Sequence, residues 1–232
     1  MKPTGSPAAE LRVGGLEKLS LVDWPGMLAA VVFCQGCRWR CRYCHNPHLL
    51  AFRSPAGPPW AEVLGWLGRR RGLLDGVVFS GGEATCQPGL AAAMRQAREL
   101  GFRIGLHTGG PSPEALARVI PLLDWVGFDF KAPFPDYRRI TGADRGDRAR
   151  ESLRLIREAN IPVEIRTTWH PSLLSPDDLS AMASTLADAG CTQWVIQRFR
   201  PEGCPDAALR NSPIGAIPDF SGAGRELRIA HR

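Results

Sequence analysis

Four of the chain's seven cysteines crowd into the segment Phe33-Cys34-Gln35-Gly36-Cys37-Arg38-Trp39-Arg40-Cys41-Arg42-Tyr43-Cys44. Soft thiolates at such density select zinc, Cu(I) or an iron–sulfur cluster. A structural zinc site usually draws two cysteine pairs from separated segments, whereas here both pairs would come from one short loop. The order is also unlike a bacterial ferredoxin run, C-x2-C-x2-C-x3-C followed by Pro. The informative spacing is Cys37-x3-Cys41-x2-Cys44. Three thiolates can hold three irons of a cubane and leave the fourth iron open to a substrate. Cys34 instead closes an apolar run, where a small buried thiol packs as a hydrophobe. A second candidate is Ser80-Gly81-Gly82-Glu83, in which a carboxylate and free carbonyls suit an ammonium group and paired glycines let the backbone come close to a ligand.

These residues need elements to position them. Short apolar runs rich in Val, Ile and Phe predict strands at Leu28–Cys34, Gly76–Ser80, Arg103–His107, Trp125–Phe130, Val163–Thr168 and Trp194–Phe199. Helical patterns fall between them, near Trp60–Arg71, Pro88–Leu100, Ser112–Ile120, Asp147–Ala159 and Ser175–Ala189, several opened by Pro, Ser or Asp in capping positions. The β–α alternation implies parallel strands joined by helical crossovers. It repeats about six times, short of the eight units of a closed barrel. An open partial barrel or a doubly wound sheet fits. The cysteine loop follows the first of these strands and Gly81–Glu83 the second, so both reach the carboxyl edge, where parallel β/α folds place active sites. Residues 1–27, with turn signals and Ser20-Leu21-Val22-Asp23-Trp24-Pro25-Gly26, and residues 200–232, rich in Gly and Pro, read as an extension and a tail on one domain.

Composition narrows the class. The chain has 232 residues, 44% hydrophobic and 22% charged, values of a folded protein rather than a disordered one. Its longest apolar run, Leu28–Phe33, is far below the roughly 18 residues of a membrane span. The start MKPTGSPAAE has no apolar core of a secretory signal, so the expected compartment is the cytoplasm and no membrane partner is expected. The net charge of +6 comes almost wholly from dispersed arginines, the lysines being Lys2, Lys18 and Lys131, and supports nucleic-acid binding only weakly. An odd cysteine count in such a compartment argues against a disulfide framework. Cys191 and Cys204 read as inert small hydrophobes or surface thiols, and His45, His107 and His170 as packing residues.

Cys37-x3-Cys41-x2-Cys44 with Tyr43 before the last cysteine resembles the signature of radical S-adenosylmethionine (SAM) enzymes, and Gly81-Gly82-Glu83 resembles that family's element for the methionine amino group. Further segments extend the likeness over about residues 14–201. Ser20–Gly26, Cys44-His45-Asn46-Pro47, Asp129-Phe130-Lys131-Ala132-Pro133-Phe134 with Tyr137 and Thr141-Gly142, Arg166-Thr167-Thr168 and Gln197-Arg198-Phe199-Arg200-Pro201 are similar to the activating proteins of anaerobic ribonucleoside-triphosphate reductase. The resemblance implies an open (β/α)6 partial barrel, a [4Fe–4S] cluster, SAM, and a 5′-deoxyadenosyl radical that removes a hydrogen from a glycine of a partner enzyme. It also implies a flavodoxin or ferredoxin-type electron donor. Carried over by position, Cys37, Cys41 and Cys44 ligate the cluster, Tyr43 lies near the adenine, and Gly81, Gly82 and Glu83 face the methionine ammonium. Thr108, Asp129, Lys131, Arg166 and Gln197 line the rest of the SAM pocket, with Lys131 or Arg166 pairing the methionine carboxylate. No protein side chain receives a catalytic role of its own.

The chain departs from that pattern at Thr108-Gly109-Gly110, where Thr-Asn-Gly is usual, at Ala84, where Pro is frequent, and in carrying Cys34 and Cys86. Two alternatives remain open at this stage. One is a radical SAM enzyme for a small molecule, similar to 7-carboxy-7-deazaguanine synthase. The other is a non-catalytic metal protein with a four-cysteine site that includes Cys34.

Overall fold

A computed structural model describes residues 7–53, 57–220 and 227–231. Eight strands follow one another in chain order across one sheet: β1 Val13–Ser20, β2 Ala29–Cys34, β3 Gly76–Gly81, β4 Arg103–Thr108, β5 Trp125–Asp129, β6 Val163–Trp169, β7 Gln193–Arg198 and β8 Arg228–His231. β1 runs antiparallel to β2, while β2–β3, β3–β4, β6–β7 and β7–β8 are parallel. The order ends at β1 and β8 without a closing pair among the described residues, so the fold is an open α/β arrangement as expected. The helices between strands are α1 Trp60–Gly68, α2 Leu90–Glu99, α3 Pro113–Val119, α4 Tyr137–Thr141, α5 Gly146–Glu158 and α6 Pro176–Asp188, with α7 Ala207–Asn211 preceding β8. No helix among the described residues is long and apolar enough to cross a membrane.

All six expected strands and five expected helices are present within a few residues. The two outer strands are the difference. β1 lies in the segment read as an extension and β8 in the segment read as an irregular tail. β1 carries Gly14, Gly15, Glu17 and Lys18, and its middle is exposed. Edge strands need not alternate cleanly, because one side has no neighbour to bury against.

The chain divides into two compact units, one comprising Met1–Arg38, His48–Thr108 and Glu114–Gly127, the other Trp39–Pro47, Gly109–Pro113 and Phe128–Arg232. In the first, β2 (Ala-Ala-Val-Val-Phe-Cys) is almost fully buried, as a strand covered on both faces must be. One face of the sheet there packs Ala29, Val31 and Val78 against Trp24 and Trp125, whose rings stack 5.4 Å apart. Gly76 and Gly105 make the room, since a Cβ on either would lie 2.9 Å from the Trp24 ring. The Ser20–Gly26 segment is a largely exposed turn that delivers one core residue, Trp24, to the sheet. In the second unit, β6 and β7 bury Ile165, Trp194 and Ile196, and α5 and α6 bury Leu153, Ile156, Leu179, Met182 and Leu186. α6 opens on a full capping box in which Ser175 and Asp178 satisfy each other's backbone N–H groups.

Candidate functional site

The first unit holds the start of the cysteine loop and the Gly-Gly-Glu turn. Cys34 ends β2 in register with Gly81 of β3 and is wholly buried. Strand alternation points its side chain away from the face that carries Val31 and Trp24. The loop then runs back along residues 49–50: the Gly36 N–H donates to Leu49 O at 2.7 Å and the Cys37 N–H to Leu50 O at 3.1 Å. Gln35 ties it further through its amide, which donates to His48 O and Ala51 O.

The paired glycines serve this loop. Gly81 has φ +109°, and a Cβ there would stand 2.3 Å from Cys34 N; at Gly82 it would stand 2.6 Å from Gly36 O. With no side chains in the way, the Gly82 N–H donates to Cys34 O at 2.9 Å and the Glu83 N–H to Gly36 O at 3.0 Å. The sequence reading gave the glycines a close approach to a ligand. The structure uses them first to lock the Glu83 turn onto the backbone that leads into Cys37.

Glu83 is 5% exposed. Its Oε1 accepts from the Thr85 N–H at 3.1 Å, the Thr85 hydroxyl at 2.6 Å and the Thr108 hydroxyl at 2.8 Å. Three donors on one oxygen fix the carboxylate in place, and Thr108 is thus brought to Glu83. On the interior face nearby, the Ser80 hydroxyl meets His107 Nδ1 at 3.2 Å, while His107 Nε2 donates to Asp23 O at 2.8 Å. Burial pushes the Cys34 thiol well above its usual value, with Glu83 and Cys86 adding to the shift. Burial and Glu83 likewise raise Cys86 to about 11, against the pull of Arg38. Both thiols are held protonated and unreactive.

The second unit holds the rest of the loop. The Arg40 and Arg42 N–H groups donate to Thr141 O and Ile140 O at the end of α4, and the Cys44 N–H closes a turn on Cys41 O. Burial raises the Cys41 thiol to about 11, with Lys131 pulling the other way. The Lys131 ammonium lies 3.2 Å from Asp129 Oδ2, 5.6 Å from the centre of the Tyr43 ring and 5.9 Å from that of Trp39. Burial works against its charge, but the Asp129 carboxylate together with Tyr43 and Cys41 outweighs this and holds Lys131 well above the ordinary lysine value. The Asp129–Lys131 pair is therefore no loose surface pair. Arg166 is buried too, its Nε donating to Glu164 Oε1 at 2.8 Å with both side chains under 10% exposed. Gln197 is half-buried near the end of β7, opposite Thr168.

Sequence reasoning overlooked two features of this half. Trp39, a spacer residue in C-x3-C, is a buried wall of the Lys131 pocket. The tail is tied to the loop as well. Arg42 Nε donates to Asp206 Oδ2 at 2.9 Å, the Cys204 thiol to Arg42 O at 3.3 Å and His45 Nε2 to Arg200 O at 2.9 Å. Gly203, with φ +75°, admits this approach, since a Cβ there would stand 2.6 Å from His45 O. Asp206 also caps α7. The signal that could have found this clasp is the Gly203–Asp206 turn-and-cap pattern. Cys204 is buried, as a small hydrophobe would be, and His45 stacks on Phe199 while His170 meets the same ring edge-on.

Cys37, Cys41 and Cys44 are all free thiols on one loop, a donor set whose softness and number suit an iron–sulfur cluster. Among the described residues, no three His, Cys, Asp or Glu side chains are gathered as a ready site for one metal ion. The family model of the Radical SAM superfamily matches residues 31–192. A provisionally named glycyl-radical enzyme activating enzyme of Methanocaldococcus jannaschii is 30% identical over 87% of this chain and 85% of its own. The chain is a radical SAM protein of the glycyl-radical enzyme activase family.

This family uses a [4Fe–4S] cluster and SAM. The radical SAM chain is also similar to the pyruvate formate-lyase-activating enzyme of Clostridium pasteurianum, 32% identical over 75% of this chain and 76% of that one. Solved structures agree on the fold. QueE from Escherichia coli superposes with a TM-score of 0.54 at 15% identity, covering 96% of this chain and 93% of its own. SuiB of Streptococcus suis, bound to S-adenosylmethionine, gives 0.59 at 12% identity, and this chain spans 39% of its length.

Proposed function

We propose that this activase installs a glycyl radical on an anaerobic ribonucleoside-triphosphate reductase, with Cys37, Cys41 and Cys44 holding the cluster. One observation carries the reading: at the carboxyl ends of adjacent strands β2 and β3, a thiolate loop begins where a buried, triply hydrogen-bonded carboxylate stands. The cluster and SAM, when bound, supply reductive cleavage of SAM and a 5′-deoxyadenosyl radical that abstracts a glycine hydrogen. The chain's part is to hold the cofactor in one pose and keep water out. Glu83, fixed by Thr85 and Thr108, receives the methionine ammonium beside the Gly81–Gly82 carbonyls. Lys131 offers its charge to the methionine carboxylate, Tyr43 flanks the adenine, and Asp129, Arg166 and Gln197 are further SAM-binding residues. Cys34, buried on the far face of β2, stays off the cluster, as the open iron requires.

The choice of reductase rests on the segments Asp129–Phe134, Tyr137, Arg166–Thr168 and Gln197–Pro201; the relatives named for glycyl-radical enzymes support the activase class along most of the chain. Such an activase works in the cytoplasm and takes its electron from a flavodoxin or ferredoxin-type donor. The test is anaerobic reconstitution with SAM and dithionite, alone and with candidate partners, read by electron paramagnetic resonance. We expect methionine and 5′-deoxyadenosine without a partner, and a glycyl radical on the reductase but not on pyruvate formate-lyase. A radical on the lyase alone would overturn the partner; a colourless zinc protein that cleaves no SAM would overturn the enzyme reading.

A further inference from the structure

We infer that Trp39 is a positioning residue that seats the Lys131 ammonium, and that residue 109 is glycine in order to admit the Trp39 ring. The backbone does not ask for glycine at 109. Its neighbour Gly110 sits at φ +75°, but Gly109 lies outside the left-handed region that penalises other residues. What excludes a side chain is steric: a Cβ on Gly109 would stand 2.4 Å from Trp39 Cζ3 and 2.9 Å from Lys131 Cε. Gly109 is thus the floor on which the indole and the lysine stem both lie. The departure from Thr-Asn-Gly at this position has a matching residue in the cysteine motif.

The seat explains how a flexible four-carbon stem presents its charge in one place. Trp39 is 3% exposed and its ring is braced by an edge contact with Tyr137 at 5.8 Å. The Tyr137 hydroxyl in turn accepts the Lys131 backbone N–H. Trp39 and Tyr43 stand within 6 Å of Nζ, and Asp129 accepts one of its three N–H donors. Ring faces attract an ammonium without saturating its donors, so the seat fixes position and leaves hydrogen-bonding capacity for an anionic group. That this group is the SAM carboxylate rests on the function proposed above; the seat itself does not.

The two can be tested apart. The chain has only Lys2, Lys18 and Lys131, so trace acetylation of the cluster-free protein, read by mass spectrometry, reports each amine separately. Lys131 should react far more slowly than Lys18. Trp39→Leu should raise its rate about tenfold, while Trp39→Phe, which keeps a ring face, should hold it near the parent value. Thermal melts test the steric pairing, because phenylalanine lacks the outer indole ring that a Cβ at 109 would strike. Gly109→Ala should lower the melting temperature more in the parent than in Trp39→Phe, where only the Lys131 stem at 2.9 Å still stands in the way, a non-additivity expected only of residues in contact. An unchanged Lys131 rate in Trp39→Leu, or equal melting losses from Gly109→Ala in both backgrounds, would overturn the seat. In the reconstituted protein, Trp39→Leu should weaken SAM binding about tenfold, as should Gly109→Ala. If the acetylation and melting results hold while SAM binding is unchanged, the seat stands and the assignment of Lys131 to the cofactor falls.

Discussion

The two units hold their candidate site residues with different materials. In the first, the Glu83 turn and the lead into Cys37 are joined main chain to main chain, across gaps that Gly81 and Gly82 leave open. In the second, the loop through Cys41 and Cys44 is framed by side chains: Trp39, Tyr43, Lys131 with Asp129, and the Arg42–Asp206 clasp. A backbone-built region should suffer most from added atoms and least from deleted ones. A side-chain-built region should do the reverse.

The cysteines give the largest contrast. Alanine at Cys37, Cys41 or Cys44 removes a proposed ligand and should abolish both the cluster and SAM cleavage. Cys34→Ala should retain about four irons and cleavage, because its thiol is buried on the face of β2 away from Val31 and held protonated. Iron and sulfide analysis of the four variants is the measurement. Loss of the cluster in Cys34→Ala with retention in Cys37→Ala would shift the ligand register and undo the assignment.

Gly81→Ala is next. It combines a positive φ with a Cβ 2.3 Å from the Cys34 nitrogen, so strain and backbone overlap should together cost about 3–5 kcal/mol. That is a large share of a typical folding free energy, and denaturant melts of the cluster-free protein would show it. If Gly81→Ala melts like the parent, the main-chain lock is not what holds this half together.

Much of this was legible in the sequence, and the rest was hidden for physical reasons. β2, β3 and β5 announced themselves because a strand covered on both faces must be apolar along its length, and β4, β6 and β7 through shorter apolar stretches between polar ends. β1 carried no such signal: with Gly14, Gly15, Glu17 and Lys18 in eight residues, it owes its place to pairing with β2 rather than to its own pattern. β8 is four residues, mostly exposed, and is recruited by β7 in the same way. At the site, Cys37, Cys41, Cys44 and Glu83 could be picked out because their chemistry demands those residue types. Trp39 and Gly109 could not, because their importance lies in what they touch across 70 residues of chain, and Asp206 left only a turn-and-cap pattern. Gly81 and Gly82 were found for an incomplete reason, since spacing cannot tell whether a glycine makes room for a ligand or for its own loop.

The buried Arg166–Glu164 pair tests the side-chain half with a smaller change. Glu164→Gln keeps an acceptor for Arg166 Nε but removes the compensating charge from a guanidinium that is 9% exposed. A cost of about 2 kcal/mol is expected, falling short of Gly81→Ala although a charge rather than a methyl group is altered. Denaturant midpoints compared at equal m-values would measure it. A cost well above that of Gly81→Ala would reverse the ranking of backbone and side-chain construction.

The smallest effect asks whether side-chain dependence belongs to the site or to the second unit as a whole. Away from the loop, Asp178 accepts from the Ser175 N–H at the start of α6 and pairs with Arg139 at 3.0 Å. Burial alone would raise its pKa, but the hydrogen bonds from Arg139 and Ser175 prevail and hold it below the ordinary aspartate value. A carboxyl group depressed in the folded state adds stability that is present above its unfolded pKa and is lost as pH falls through the folded one. Asp178→Asn should therefore lower stability at neutral pH by about 1 kcal/mol, a shift of about 2–4 °C in melting temperature for a chain of this size. The gap between variant and parent should close on acidification below about pH 4. A gap that stays constant with pH would mean that the helix cap, not the charge, carries the contribution. A gap as large as that of Glu164→Gln would mean that the second unit leans on its charged side chains throughout, and that the framing of Cys41 and Cys44 is one instance of a general habit.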